Sequence, residues 1–465
     1  MSRVALFESS KDGGVCLQEV LAPDFRPDIG GQEMRLLQVY TNVEEQTIKG
    51  FGGAFTQSSA EVFYQMGKPE QEEILELLFG SENLAYNCGR IPMGACDFSS
   101  GNFSYCDELD PSLESFSLGR DADTVLPFVQ AAAVKVPELE LLTSPWSPPA
   151  WMKTNSDMCH GGELKEECYG IWADYFVRFL KAYAEAGVQI GMVTIQNEPK
   201  AVQTWESCVY SSEQEKRFIE KFLAPALQKA GLTDIGIVIW DHNKERAFIR
   251  AQDIMDCDNM RKLVHGIAFH WYSGDHFENI ALCRRFFPEQ ELIFTEGCVE
   301  LRAKNTVMAA KAESAGRDNA VENAPWEFGE FYAHDIMGNL NAGMNRFIDW
   351  NLLLDIQGGP NHVGNYCSAP LICNIKDGKI YKQPSFYYIA HFSRFLQKGS
   401  VRLAVSRYTP ELEALAAKTP SGDIIVIMMN TTAHPLELTI NDVCAARIAD
   451  YTLKPHSIAS MVWHT

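Results

Sequence analysis

Between residues 47 and 396, short β-rich runs alternate with longer helical patterns, and the alternation repeats eight times. The runs are 48–55, 84–92, 139–144, 192–197, 235–240, 266–271, 291–295 and 346–351. Parallel strands need crossover connections, commonly helices, so this order predicts a parallel sheet covered by helices. Eight units in succession, over roughly 350 residues, favour an α/β fold closed on itself as a (β/α)8 barrel, a TIM barrel, over an open doubly wound sheet. No Gly-x-Gly-x-x-Gly follows the first run, which also weighs against a dinucleotide-binding fold.

The stretches between the runs have helical periodicity. In 169–186, Trp172, Tyr175, Phe176, Phe179, Leu180 and Tyr183 recur at steps of three and four. A second helix is expected over 211–230, with Ser211 and Ser212 as N-cap candidates and Glu215 in capping-box position behind Ser212. Past Gly399 the helices stop and β runs follow at 401–408, 412–418, 423–430, 436–440 and 457–463, which predicts a small antiparallel β-sandwich. Residues 1–46 include the strand-like Met34-Arg35-Leu36-Leu37-Gln38-Val39-Tyr40 and are expected to pair into that sandwich. The expected division is therefore 1–46 as contributing strands, 47–396 as the barrel and 397–465 as the sandwich.

Charge narrows the partners. A formal net charge of −21 argues against nucleic acid or an anionic membrane surface, both of which need clustered Lys and Arg. No stretch approaches the ~20 apolar residues of a membrane span. The first ten residues hold one short apolar run, Val4-Ala5-Leu6-Phe7, broken by Glu8, so the expectation is a cytoplasmic protein. Thirteen cysteines, an odd number spread through apolar segments, read as reduced thiols.

Active sites of (β/α)8 enzymes lie at the C-terminal ends of the strands. The residues that end these runs are Asp97 after the second, Trp146 after the third, Asn197 and Glu198 after the fourth, and Asp241 and His242 after the fifth. His270, Trp271 and Tyr272 end the sixth, Glu296 the seventh, and Trp350, Asn351 and Asp355 the eighth. Carboxylates, an amide and aromatic rings suit a sugar, whose hydroxyls seek hydrogen-bond partners and whose C–H face stacks on rings. They suit phosphate poorly, since few Lys or Arg join them beyond Arg90. Glu198 and Glu296 each follow an apolar run, and two carboxylates fixed at strand ends are what acid and nucleophile chemistry on an acetal requires. Either one alone reads as an ordinary strand-end carboxylate.

The words around these positions carry a resemblance. They are Lys49-Gly50-Phe51-Gly52-Gly53-Ala54, Pro92-Met93-Gly94-Ala95-Cys96-Asp97-Phe98-Ser99, Ser144-Pro145-Trp146-Ser147-Pro148-Pro149-Ala150-Trp151 and Asn197-Glu198-Pro199. His270-Trp271-Tyr272, Thr295-Glu296-Gly297-Cys298, Asp349-Trp350-Asn351-Leu352, Gly358-Gly359-Pro360-Asn361 and Tyr381-Lys382-Gln383-Pro384 follow in order. From Lys49 to about Gly399 the chain resembles glycoside hydrolase family 30, in its glucosylceramidase branch.

The resemblance implies a retaining β-glycosidase on a barrel with an attached sandwich, acting on terminal β-D-glucosides. It also implies Glu198 as acid/base and Glu296 as nucleophile, with carboxyl groups roughly 5–5.5 Å apart. Arg90 and Tyr272 are then donors to Glu296, Asn197 binds the sugar 2-hydroxyl, and Asp97, Trp146, Trp350 and Asn365 surround the remaining hydroxyls. The mechanism expects a protonated Glu198 and an ionised Glu296. His270 remains open between a core histidine and a site contact. No cofactor or metal is expected: Cys159-His160 with Cys168, or His270 with His276, lacks the close paired ligands of a zinc site. Sphingolipid metabolism belongs to the branch, but a cytoplasmic chain points to soluble glucosides. The rivals are the same chemistry on another sugar or linkage (β-xylosidase, β-fucosidase or 1,6-β-glucanase) and a sugar-binding barrel without catalysis.

Overall fold

The computed structural model describes residues 4–12, 14–301 and 324–464. Eight parallel strands close into a barrel: Gly50–Ala54, Cys88–Met93, Glu140–Pro145, Met192–Thr194, Gly236–Asn243, Val264–His270, Glu291–Glu296 and Arg346–Asn351. They follow one another around the ring in chain order, and the eighth pairs with the first through Ile348 and Gly52. Most positions of these strands are buried, as expected of a sheet with side chains inside and helices outside. Cys88, Leu142, Met192, Val238, Ala268, Ile293 and Ile348 form one cluster, drawn from seven of the strands. The first strand contributes Gly52, where an added Cβ would sit 1.8 Å from the Cys88 carbonyl oxygen. This close approach is the reason for the glycine-rich first strand.

The helix Tyr169–Glu185 buries the aromatic stripe named above against the barrel. The next is Ser212–Phe218, continued by a π-turn at Ile219–Leu223 and by Ala224–Ala230. Its cap differs in detail from expectation: Ser211 is the N-cap and Gln214 closes the capping box. Glu215 is instead buried, accepting from the Trp240 backbone N–H at 3.0 Å and from Arg250 at 2.9 Å. It fastens this helix to the fifth strand. Among the described residues no helix is long and apolar enough to cross a membrane.

A second sheet has ten strands, in the order Val15–Val20, Val4–Ser10, Ser457–His464, Asp423–Asn430, Leu412–Lys418, Val401–Arg407, Leu36–Thr47, Leu436–Asp442, Arg447–Leu453 and Arg26–Pro27. The N-terminal segment does enter it. One pairing departs from the antiparallel expectation: Leu36–Thr47 runs parallel to Leu436–Asp442, because this strand enters from the far end of the chain and not through a hairpin. Arg447–Leu453 is a strand the sequence patterning did not single out, since Ala449 and Asp450 dilute its β-propensity. Leu37, Val39, Leu403, Val426, Met428, Ile440, Met461 and Trp463 form the core of this sheet. The barrel helix Pro384–Ser393 docks on it through His391, whose ring nitrogens reach Ser9 Oγ at 2.9 Å and Ser460 Oγ at 2.8 Å.

Candidate active site

The seventh strand ends on Glu296, which still pairs with the sixth strand just past a bulge at Thr295, whereas Glu198 lies on a turn four residues past the short fourth strand. Glu198 has φ 48°, and its backbone N–H donates to the Asp241 carbonyl at 2.9 Å. Trp240 and Asp241 on the fifth strand also have positive φ, 74° and 52°. Such backbone costs of order 1–3 kcal/mol per residue and persists where surrounding structure enforces it. Three such residues meet at one barrel mouth.

Arg90, on the second strand, organises that mouth from below. Its Nη1 donates to Glu296 Oε2 at 2.7 Å, and its Nη2 donates to Asn197 Oδ1 and to Asp241 Oδ2, each at 2.8 Å. Its Nε donates to Ser144 Oγ at 3.0 Å, and the guanidinium lies 4.7 Å from the centre of the Trp146 ring. Tyr272 completes the grip on the nucleophile candidate, its hydroxyl donating to Glu296 Oε1 at 3.1 Å. With Asn197 Oδ1 held by Arg90, the Asn197 amide has its two Nδ2 hydrogens left to offer.

Around Glu198 the partners are imidazoles. His270 Nδ1 lies 3.3 Å and His242 Nδ1 3.5 Å from Glu198 Oε1. On its other side His270 Nε2 lies 3.1 Å from Asp241 Oδ1, which also accepts from Thr295 Oγ1 at 2.6 Å. Arg90 and His270 counter the burial of Asp241 and hold its carboxyl below the usual range. An ionised Asp241 only accepts, so His270 Nε2 carries a hydrogen and Nδ1 faces Glu198.

The strand ends enclose a pocket of about 250 Å³ lined by Asp97, Trp146, Asn197, Glu198, Tyr272, Glu296, Trp350 and Asn365. These are eight of the ten site residues read from the sequence. Arg90 and His270 do not line it: both are fully buried behind the carboxylates, so they are positioning residues and not sugar contacts. Trp146 and Trp350 stack at 5.2 Å on one wall. Asp97 Oδ2 accepts from Asn361 Nδ2 at 3.2 Å and Asn365 Nδ2 at 3.3 Å, while burial beside Glu296 pushes its carboxyl up to about 8. Sequence reasoning missed His242, Asn243, Gln203, Cys298 and Glu300, which also line the pocket, and gave Asp241 no role. His242 and Asp241 stood in the list of strand ends, which was the available signal. A larger cavity, about 740 Å³, lies at the N-terminal ends of the strands around Gly236, Ile237 and Val264, away from this chemistry.

The protonation balance differs from the expectation. Burial raises the Glu198 carboxyl, but its contacts with His242 and His270 outweigh that and hold it below its ordinary value. Burial pushes Glu296 up against the opposing pull of His270 and Arg90. The two imidazoles are the cause, and the sequence does not show that they flank Glu198. His270 rises to about 9: burial opposes its charge, and the Glu296, Asp241 and Glu198 carboxylates outweigh burial. Glu198 and His270 thus form a coupled pair across a 3.3 Å contact, and Glu198 is the partner that opens on the pocket.

Comparisons with known proteins agree with this fold. Residues 48–396 match the glycosyl hydrolase family 30 TIM-barrel domain, and residues 399–461 match the glycosyl hydrolase family 30 beta sandwich domain. The lysosomal acid glucosylceramidase of Mus musculus is 33% identical over 422 residues, 88% of this chain and 79% of that protein. The crystal structure of SrfJ from Salmonella typhimurium superposes with a TM-score of 0.92 at 33% identity, covering 100% of both chains. The endo-beta1,6-glucanase BT3312 superposes with a TM-score of 0.85 at 25% identity, covering 99% of each.

Proposed function

The chain belongs to glycosyl hydrolase family 30, and from that premise we propose that it hydrolyses terminal β-D-glucosides with retention, Glu296 acting as nucleophile and Glu198 as acid/base. The observation that carries the reading is the asymmetric grip on two carboxylates facing one pocket. Both oxygens of Glu296 are held by donors, Arg90 and Tyr272, whereas Glu198 faces the imidazoles of His270 and His242. In the first step Glu296 forms a bond to the anomeric carbon as the glycosidic C–O bond breaks, and Glu198 gives its proton to the departing oxygen. In the second, Glu198 takes a proton from water, the water oxygen bonds to the same carbon, and Glu296 is released. Asn197 Nδ2 donates to the hydroxyl beside the anomeric carbon, a bond that strengthens as positive charge develops there.

The pocket volume supports an exo-acting enzyme. About 250 Å³ falls below the ~300–1,000 Å³ of pockets for drug-sized ligands and suits one sugar ring. The polar residues Gln203, Asn243 and Glu300 among the lining residues favour a soluble aglycone over ceramide. Thirteen free thiols favour the cytoplasm as the place of action. The likeness to an endo-β1,6-glucanase supports a second reading, cleavage within β-1,6-linked glucan.

Following the first-formed anomer by NMR decides among these. With aryl β-D-glucoside as substrate, β-glucose appears first, and the xyloside, glucosylceramide micelles and β-1,6-gluco-oligosaccharides turn over more slowly. First appearance of the α-anomer, or faster cleavage inside the oligosaccharide than at its end, overturns the reading.

A further inference from the structure

We propose that Glu198, His242 and His270 also form a binding site for a borderline transition-metal dication such as Zn²⁺, which occupies it as an inhibitor and not as a cofactor. Among the described residues this trio is the group whose possible ligand atoms gather closely, all within 4.8 Å of one another. Two of the edges are short: Glu198 Oε1 to His270 Nδ1 is 3.3 Å, and to His242 Nδ1 is 3.5 Å. A tetrahedral zinc with bonds of about 2.0–2.1 Å separates its ligands by about 3.3 Å, so both edges already fit. The edge between the two imidazoles lies within 4.8 Å.

The atoms that would bind have the right chemistry. Two imidazole nitrogens and one carboxylate oxygen are a ligand set that zinc takes in open, three-coordinate protein sites. The fourth position faces the pocket, where water or a sugar hydroxyl has room. Asp241, fixed by Arg90, Thr194 and Thr295, orients His270 through Nε2 and leaves Nδ1 as the metal-facing nitrogen. This is the carboxylate–histidine–metal arrangement that sets tautomer and ring direction. His242 adds a further sign: its buried Nδ1 makes no hydrogen bond of good geometry and has only the 3.5 Å approach to Glu198 Oε1. A buried polar atom left unsatisfied points to a missing partner. Glu296, held by Arg90 and Tyr272, lines the same pocket and adds a carboxylate that draws a dication in.

Cys159 and His160, noted in the sequence, are engaged elsewhere. His160 Nδ1 bonds to Asp157 at 3.1 Å, and Cys159 Sγ lies against Asn102 Nδ2 at 3.1 Å. At the proposed site the metal binds Glu198 Oε1 and blocks that oxygen, so the inhibition, unlike the binding, rests on Glu198 being the acid.

The test is calorimetric titration of the full chain with Zn²⁺, on the native protein, His242→Ala, His242→Asn, Glu198→Gln and a Cys257→Ser/Cys444→Ser control that removes the exposed thiols. One saturable site is expected in the native chain and the thiol control, about 10–100-fold weaker in the other three. A thermal melt of each variant without metal verifies folding, and Glu198→Gln, nearly isosteric, keeps the test valid if the His242 variants melt early. No saturable binding, or binding unchanged in Glu198→Gln, overturns the proposal. Zn²⁺ should also slow aryl β-glucoside hydrolysis, with recovery on chelation. Because binding is read without turnover, a chain that binds Zn²⁺ but cleaves no glucoside would refute the proposed function and leave the metal site standing.

Discussion

The two glutamates of the pocket are held in opposite ways. Glu296 ends a barrel strand and has each carboxylate oxygen fixed by a donor, from Arg90 and Tyr272. Glu198 sits on a turn with positive φ and is met by imidazoles at 3.3 and 3.5 Å. A nucleophile must keep one position while charge passes through it, whereas an acid/base must lose and regain a proton in each cycle. The fixed carboxylate is built into the sheet, and the titrating one into a turn beside groups that exchange protons.

The sharpest break of this contrast removes each carboxylate in turn. Glu296→Gln should lose on the order of 10⁶-fold in kcat for every substrate, as expected when a nucleophile is deleted. Glu198→Gln should lose about 10²–10⁴-fold in kcat/KM with poor leaving groups and far less in kcat/KM with activated aryl glycosides, whose departure needs no acid. Steady-state kinetics over a series of leaving groups checks both; equal losses on all substrates for both variants would erase the distinction.

Arg90→Lys probes the fixed side. Lysine is a single point of charge and cannot hold Glu296, Asn197 and Asp241 in one plane. The variant should lose about 10²–10³-fold in kcat. Its stability should fall by about 3–5 kcal/mol, as for a broken buried ion pair, read by chemical denaturation.

Asp97 sharpens the comparison through pH. Its carboxyl is raised from 3.8 to about 8 by burial beside Glu296, so between those values the folded chain binds a proton that the unfolded chain does not. Its contribution to stability is therefore intact below pH 3.8 and is lost as pH rises to about 8. Thermal melts across pH 4–8 should fall less steeply for Asp97→Asn than for the native chain. The smallest effect belongs to Trp205, which lines the pocket on the loop after Glu198. Trp205→Ala should change the preference among leaving groups by about 10-fold, the size of one apolar contact, with hydrolysis of the smallest glucoside little altered.

What could be read from sequence follows the same division. Strands buried on both faces announce themselves as apolar runs, and Glu296 ends one of them, so the barrel and this carboxylate were visible. Helix Tyr169–Glu185 was legible for a similar reason, its aromatic period. The surroundings of Glu198 were not. Against the sixth strand, the fifth carries an extra residue at Asp241 and the seventh at Thr295, which re-aims the side chains beside His270. Positive φ at Trp240 and Asp241 likewise turns His242 toward Glu198, and no two-residue alternation predicts that direction. The parallel entry of Leu36–Thr47 into the second sheet escaped notice because its partner, Leu436–Asp442, lies some four hundred residues away.

The central claim, that Glu296 forms the covalent bond while Glu198 handles the proton, has a direct test. The protein is incubated with a 2-deoxy-2-fluoro-β-D-glucoside bearing a good leaving group, and the labelled peptide is located by mass. A single fluoroglucosyl adduct on Glu296 is the predicted result. An adduct on Glu198, or none while substrate turns over with inversion at the anomeric carbon, would contradict it.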